Sequence, residues 1–365
     1  MLPSHTMWNT VTTQKWRLLV LRIHRWGGLV AGIPLLVLAT TGCVMAFESQ
    51  IDEFFHPSLF KVLPHGDALP LSAVIDQVAV GLRPQEHIQV CVVPPKPTNS
   101  YSFTIFGTSG LPRQTFANQY DGHVLGTLSV VRFVLIMHTL HEASGILMGC
   151  SAIVLALSVA SGLYLWWPLK RIGVSGRGPK RIVYFELHNS VGFFSSLFLL
   201  SFALTGAYMA FDAWTVPATY TLTGTRPLQG DPVSKPQGGK PVSPEYALEV
   251  ARESLPQAIP LWIVLPQEPE SSYLVKMRFP EDHSSNGTSI VWVDQYSGRV
   301  LTVWDSRNAS LARKIENMSR AVHTGKLLGF PGKTLACLMS FALAVQILTG
   351  FSLWRKTRSK ETANA

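Results

Sequence analysis

The sequence predicts a mixed membrane protein: a bundle of four transmembrane helices carrying two small α+β modules outside the membrane. Three observations carry that expectation. The chain of 365 residues is 47% hydrophobic and only 15% charged, and its apolar residues gather in four stretches almost free of charge. Each stretch is long enough, at ~1.5 Å per residue, to cross ~30 Å of hydrocarbon. The two long polar stretches that separate them run through the same order of helix-like and strand-like segments.

In chain order, residues 1–49 hold the N-terminus and the first span, Leu29–Phe47. No small-residue cleavage site follows a short apolar core, and Glu48 comes directly after the span, so the segment reads as an uncleaved anchor. Residues 50–130 form the first module. A helix-like segment (Leu71–Leu82) is followed by strand-like Ile88–Val93 and Tyr101–Phe106, then by NQYDGHVLG (Asn118–Gly126). Residues 131–212 carry the second and third spans, Leu147–Trp167 and Val191–Phe211, joined by a short basic loop. Residues 213–318 repeat the module: Pro244–Leu255, Leu261–Leu265, Tyr273–Phe279, Ile290–Val293 and DQYSGRVL (Asp294–Leu301). DG and SG between strand-like runs are hairpin signals in both modules. The linker Thr223–Pro241, rich in Gly and Pro, is expected to be mobile. Residues 319–365 hold the fourth span, Leu335–Trp354, and a basic tail.

The formal net charge of +9 is a topology signal. Lys15, Arg17, Arg22 and Arg25 precede the first span; Lys170, Arg171, Arg177, Lys180 and Arg181 fill the short loop; Arg355, Lys356, Arg358 and Lys360 follow the fourth. The opposite ends carry Glu48, Asp52, Glu53 and Asp212. The positive-inside rule therefore puts both termini and the short loop in the cytoplasm and both modules outside it. Nucleic acid is excluded as a partner, because the basic residues sit beside spans. Cys43, Cys150 and Cys337 lie within spans and Cys91 stands alone, so no disulfide is expected. No CxxCH is present, so any haem would be held without a covalent link.

Histidine inside hydrocarbon is costly and marks function. His24 opens the first span, His138 and His141 the second, His188 the third and His323 the fourth. His24 precedes Gly42 by 18 residues and His188 precedes Gly206 by 18, which places the two at one depth on the cytoplasmic side. His323 and one of His138 or His141 form a second level on the outer side. Neutral imidazole is a good axial ligand for haem iron, and its second nitrogen can be fixed by a backbone carbonyl. Glycines beside the ligands (Gly27, Gly28, Gly192) leave room for a flat macrocycle, and Arg22, Arg25, Arg320 and Lys326 are placed to pair with propionates. A single histidine at a span end reads as an interfacial polar residue; four at matched depths point to two redox metal centres, with haem the leading candidate. Copper or zinc on His138 and His141, spaced i, i+3, is the competing metal reading. His56, His65, His87, His123 and His283 fall in polar stretches and read as surface residues.

LRIHRWGGLVAGIPLLVLATTG (Leu21–Gly42), SGLYLWWP (Ser161–Pro168), ELHNSVGFF (Glu186–Phe194) and VHTGKLLGFPGK (Val322–Lys333) together resemble the PepSY-associated transmembrane proteins, iron-regulated inner-membrane proteins that include siderophore reductases of Gram-negative bacteria such as ferrioxamine reductase. The two hairpins look like the endings of PepSY modules. The resemblance spans nearly the whole chain. It implies four spans, periplasmic PepSY-like modules, two haem b held by His24, His188, His323 and His138 or His141, and electron transfer onto Fe(III)-siderophore. His138 is the expected outer ligand, because its 24 residues to Gly162 are nearer to the 27 between His323 and Gly350 than are the 21 from His141. There is no GxGxxG after a strand and no P-loop, so the expected electron donor is quinol or a separate cytoplasmic reductase. Two other readings stay open at this level: a haemless PepSY membrane protein that binds or regulates an envelope protease, and a siderophore or metal transporter. Mid-span residues are nearly all apolar or small and Pro34 is the one mid-span proline, which argues against the transporter.

Overall fold

The computed structural model describes residues 5–107, 112–128, 136–137, 139, 141, 145–227, 230–236, 239–282, 284 and 286–363, with side chains from 14 to 355. His138 and His283 lie outside the described residues.

Among the described residues four helices are long and apolar enough to cross a membrane, and they span Gln14–Ala46, Gly145–Trp166, Lys180–Ala210 and Lys326–Arg355. The first belongs to α1 (His5–Ala46). Two short helices, α2 (Glu48–Phe55) and α3 (Pro57–Phe60), lead into the first module, which comprises α4 (Leu71–Ala79) and strands β1 (His87–Val92), β2 (Tyr101–Phe106), β3 (Arg113–Ala117) and β4 (Val124–Leu128). The chain returns as α5 (Gly145–Trp166), loops back into α6 (Lys180–Ala210), and leaves through α7 (Asp212–Leu222). The second module holds α8 (Pro244–Ser254) and strands β5 (Ile259–Val264), β6 (Ser272–Arg278), β7 (Ser289–Asp294) and β8 (Val300–Trp304). Helix α9 (Leu311–His323) then leads into α10 (Gly329–Ala363). Both modules thus sit at one end of the bundle, and the basic loop, the start of α1 and the end of α10 sit at the other.

Sequence reading separates two modules; the structure fuses them. One antiparallel sheet of eight strands runs β4-β3-β2-β1-β5-β6-β7-β8. The seam is β1 against β5, with Val90 opposite Val264, Cys91 opposite Ile263 and Val92 opposite Trp262. A strand that would have been an exposed edge in each module is thereby paired. Helices α4 and α8 lie side by side on one face, joined where Ser72 donates from its amide (3.1 Å) and hydroxyl (2.8 Å) to Glu245. Their apolar stripes bury Leu71, Val74, Val78, Ala247, Leu248 and Ala251 against Cys91, Phe103, Ile263, Val275 and Val291.

The repeated hairpin motif does the same work twice. Asn118 Oδ1 accepts from the Tyr120 amide, and Asp294 Oδ1 from those of Tyr296 and Ser297. Each following Gln, Gln119 and Gln295, donates to carbonyls of the neighbouring loop, and each Tyr hydroxyl donates to a proline carbonyl, Pro97 or Pro269. Gly122 (φ +73°) and Gly298 (φ +68°) close the turns in the left-handed region that glycine occupies without strain. The linker is pinned rather than free: the Ser234 amide donates to the Glu270 carbonyl (2.8 Å), Ser234 Oγ accepts from the Gln295 amide (2.9 Å), and Val242 bonds Gln295 in turn. The sequence hides this, because backbone bonds made by a Gly/Pro-rich segment leave no mark on its composition.

In the bundle, α1 packs on α5, α5 on α6, α6 on α10 and α10 on α1. The middle layer is apolar, with Ala31, Leu35, Ala39, Leu155, Leu199, Ala203 and Leu343 buried. The expectation of no disulfide is overturned. Cys43 on α1 and Cys337 on α10 are bonded, with Cα atoms 4.6 Å apart. The pair is 294 residues apart in sequence and no spacing motif marks it; only the packing of α1 on α10 brings the two together.

Candidate metal centres

The structure brings the described span-end histidines together as two pairs. At the loop end, His24 of α1 faces His188 of α6, with ring centroids 6.2 Å apart and planes at 85°. At the sheet end, His141 faces His323, the last residue of α9, again at 6.2 Å and with planes at 61°. It is His141, the alternative outer ligand, that meets His323; His138 lies outside the described residues. Helices α1 and α6 are diagonal in the bundle, which sets their histidines across an interior rather than in contact.

Each ring is tied at Nδ1. Nδ1–H of His24 donates to Ser161 Oγ (3.0 Å) and to the Ser158 carbonyl (3.1 Å). That of His188 donates to Thr349 Oγ1 (3.0 Å), that of His141 to Thr41 Oγ1 (2.9 Å), and that of His323 to Thr205 Oγ1 (3.2 Å) and the Phe202 carbonyl (3.1 Å). The network fixes the tautomer. A carbonyl can only accept, so Nδ1 carries the proton in His24 and His323. The four hydroxyls send their own hydrogens one turn back along their helices: Thr41 to Val37, Thr205 to Ser201, Thr349 to Val345 and Ser161 to Ser158. Their oxygens are then left to accept, so Nδ1 carries the proton in all four rings. Nε2 keeps its lone pair in each, the state a metal ligand requires.

Every one of these hydroxyls is followed by glycine, and each glycine lies under the ring its neighbour holds. A Cβ added at Gly162 would stand 3.2 Å from Cε1 of His24, at Gly350 3.4 Å from that of His188, at Gly42 3.3 Å from that of His141, and at Gly206 2.9 Å from that of His323. The late glycine of a span, read from the sequence as a depth marker for the histidine on the same helix, instead lies under a histidine from another segment. The signal that could have found it is its fourfold recurrence as Ser/Thr-Gly, once per span. Sequence reasoning gave none of the four hydroxyls, Thr41, Ser161, Thr205 and Thr349, a role toward a histidine. The glycines named earlier divide: Gly27 packs toward Val154 and Gly192 toward Gln346, whereas a Cβ at Gly28, one turn after His24, meets nothing within 4 Å.

The residues would fit an iron held between two imidazoles. Two metal–nitrogen bonds of about 2.0–2.1 Å, with ~1.1 Å from each nitrogen to its ring centre, separate two imidazole centroids by about 6 Å. Both pairs stand at that separation. The described histidines come in twos, and among the described residues no group of three or more His, Cys, Asp or Glu gathers. Thr41 lies 17 residues beyond His24 on α1, so the two levels are separated by about 25 Å along the helix. The cations named for the sheet end, Arg320 and Lys326, lie near one another, with Lys333 and the acidic Glu48 beside Lys326; Lys333 Nζ donates to Gln50 Oε1 (3.2 Å).

The family described as PepSY-associated TM region matches residues 21–357 of the chain. No curated protein matches it.

Proposed function

The chain belongs to the PepSY-associated transmembrane family, and on that premise we propose that it is a dihaem b-type reductase of the bacterial inner membrane that passes electrons outward to reduce Fe(III)-siderophore in the periplasm. The observation that carries the reading is the pair of histidine pairs, each at 6.2 Å with Nδ1 tied back. Haem b, when bound, supplies one-electron Fe(III)/Fe(II) cycling.

The chain's own residues do the rest. His24 and His188 hold one group near the cytoplasmic face; His141 and His323 hold the other near the periplasmic face, each offering Nε2. Ser161, Thr349, Thr41 and Thr205 keep the rings oriented and raise their basicity. Leu35, Leu155, Leu199 and Leu343 exclude water between the two levels. Substrate Fe(III) sits among hard oxygen donors; one electron makes it Fe(II), which those donors hold less tightly, and the metal is released. The donor is quinol or a separate cytoplasmic reductase. Both termini and Lys170–Arg181 are cytoplasmic, because the denser lysine and arginine clusters flank those ends.

Reconstitution in vesicles tests this. With an impermeant reductant confined to the loop side and ferric siderophore to the sheet side, Fe(II) should form and be trapped by a coloured chelator. The rate should collapse in His24→Ala and in His323→Ala. Fe(II) formation at the wild-type rate in either variant would exclude a serial relay. Alkaline phosphatase fused after Asp231 should be active and after Ser175 inactive; the reverse would invert the direction of flow.

A further inference from the structure

The eight-stranded sheet has a second face, turned away from α4 and α8. Trp262, Lys276, Ile290 and Trp304 stand in one cross-strand row on it, and Trp292, opposite Leu274, stands in the next. This face is rich in donors that are not used. Trp292 is 3% exposed, yet its Nε1–H has no partner among the described residues, and the same holds for Nε1 of Trp304. A buried N–H without an acceptor costs about 1–3 kcal/mol, so such a pair asks for an explanation.

The same place is positively charged. Lys276 is largely buried and makes no ion pair among the described residues; Asp282 is near, but its carboxylate takes the Phe279 amide and the Ser306 hydroxyl. Arg313 lies over Trp304 at 4.4 Å and is neutralised by Glu316 at 2.9 Å. Arg320 is close enough to Lys276 to repel it. Arg313 and Arg320 both belong to α9, whose last residue is His323. One helix therefore runs from the donor-lined sheet face to the sheet-end histidine pair.

We propose that this face binds an anionic, oxygen-rich ferric chelate, with Lys276 and Arg320 meeting its negative charge and the indole N–H of Trp292 donating to a ligand oxygen. The inference rests on the reductase reading and deepens it by naming the substrate class: carboxylate or catecholate chelates, rather than the cationic hydroxamate complexes that like charge would repel. Haem propionates present the same carboxylate chemistry, and the experiment separates the two sources.

Calorimetry on the haem-replete full chain compares two redox-inert probes, the Ga(III)–dicitrate anion and the Ga(III)–desferrioxamine B cation. Because no electron is transferred, binding is read apart from reduction, and failure here leaves the reductase assay to stand by itself. The anion should bind at least about tenfold tighter than the cation. Lys276→Gln should weaken the anion by about ten- to a hundredfold, and Trp292→Phe by less, with both haems retained. Lys276→Met guards against misfolding, since it deletes a buried charge without leaving a polar group behind. Equal binding of the two probes, or anion binding unchanged in all the variants, overturns the proposal. Loss of haem in Lys276→Gln with probe binding intact also overturns it, and assigns the cations to propionates.

Discussion

Replacing Gly206 with alanine would set a methyl carbon 2.9 Å from Cε1 of His323 and 3.4 Å from its Nδ1, whereas the same change at Gly350 would leave 3.4 Å to Cε1 of His188. Two effects compete. Alanine gains about 1 kcal/mol over glycine inside a helix. Forcing a methyl group into a packed site costs about 1–3 kcal/mol. At Gly350 the contact is ordinary, the helix gain wins, and Gly350→Ala should be neutral or slightly stabilising with both haems kept. At Gly206 the ring must retreat by about half an ångström, and the hydrogen bonds to Thr205 and the Phe202 carbonyl resist that retreat. The steric term should win, with a net cost of up to about 2 kcal/mol that weakens sheet-end ligation by up to about thirtyfold at 1.4 kcal/mol per tenfold. Gly162→Ala (3.2 Å) and Gly42→Ala (3.3 Å) should fall between. Haem content and the low-spin absorption bands of the four purified variants give the order. Equal retention in Gly206→Ala and Gly350→Ala would refute the idea that glycine seats the ligand ring.

Single substitution to alanine at His24, His188, His141 or His323 should halve the haem content, the first two removing the loop-end haem and the last two the sheet-end haem; potentiometric titration should show which step is lost. Denatured without reductant, the chain should expose two reactive thiols, Cys91 and Cys150, rising to four after reduction. Lys276 gives a pH test. Burial first, then repulsion from Arg313 and Arg320, pushes its pKa down from 10.5 to about 8. The unfolded chain then holds more protons than the folded one between pH 8 and 10.5, so stability rises with pH across that window. The charged lysine costs on the order of 3 kcal/mol below pH 8, and Lys276→Met should therefore raise Tm most at pH 7 and least near pH 10. A constant difference across that range would mean that Lys276 does not titrate there.

The four spans, the two hairpins and most strands are legible in the sequence, because charge-free runs and turn dipeptides are local signals. Tyr101–Phe106 is recovered residue for residue. What local signals cannot carry is pairing between distant segments. The β1–β5 seam follows from two edges meeting, and no residue in Val90–Val92 announces it. The Cys43–Cys337 bond depends on the rotation of two helices about their axes. At the candidate centres, the histidines stand out because a polar ring in an apolar stretch is conspicuous, but the partner of His323 cannot be read from linear distance to a glycine. That distance favours His138, while the glycine in question, Gly162, seats His24. Short helices such as α9 escape notice because its apolar face alternates with Arg313, Glu316 and Arg320, so it reads as polar sequence.

The most direct test of the account is the haem content of the purified chain. Expressed with haem in excess, it should give two haem b per polypeptide in the pyridine haemochrome assay, with the absorption spectrum of six-coordinate, low-spin iron in both oxidation states. A preparation without haem contradicts the two histidine pairs as metal centres, and a single haem per chain contradicts the relay across the bilayer.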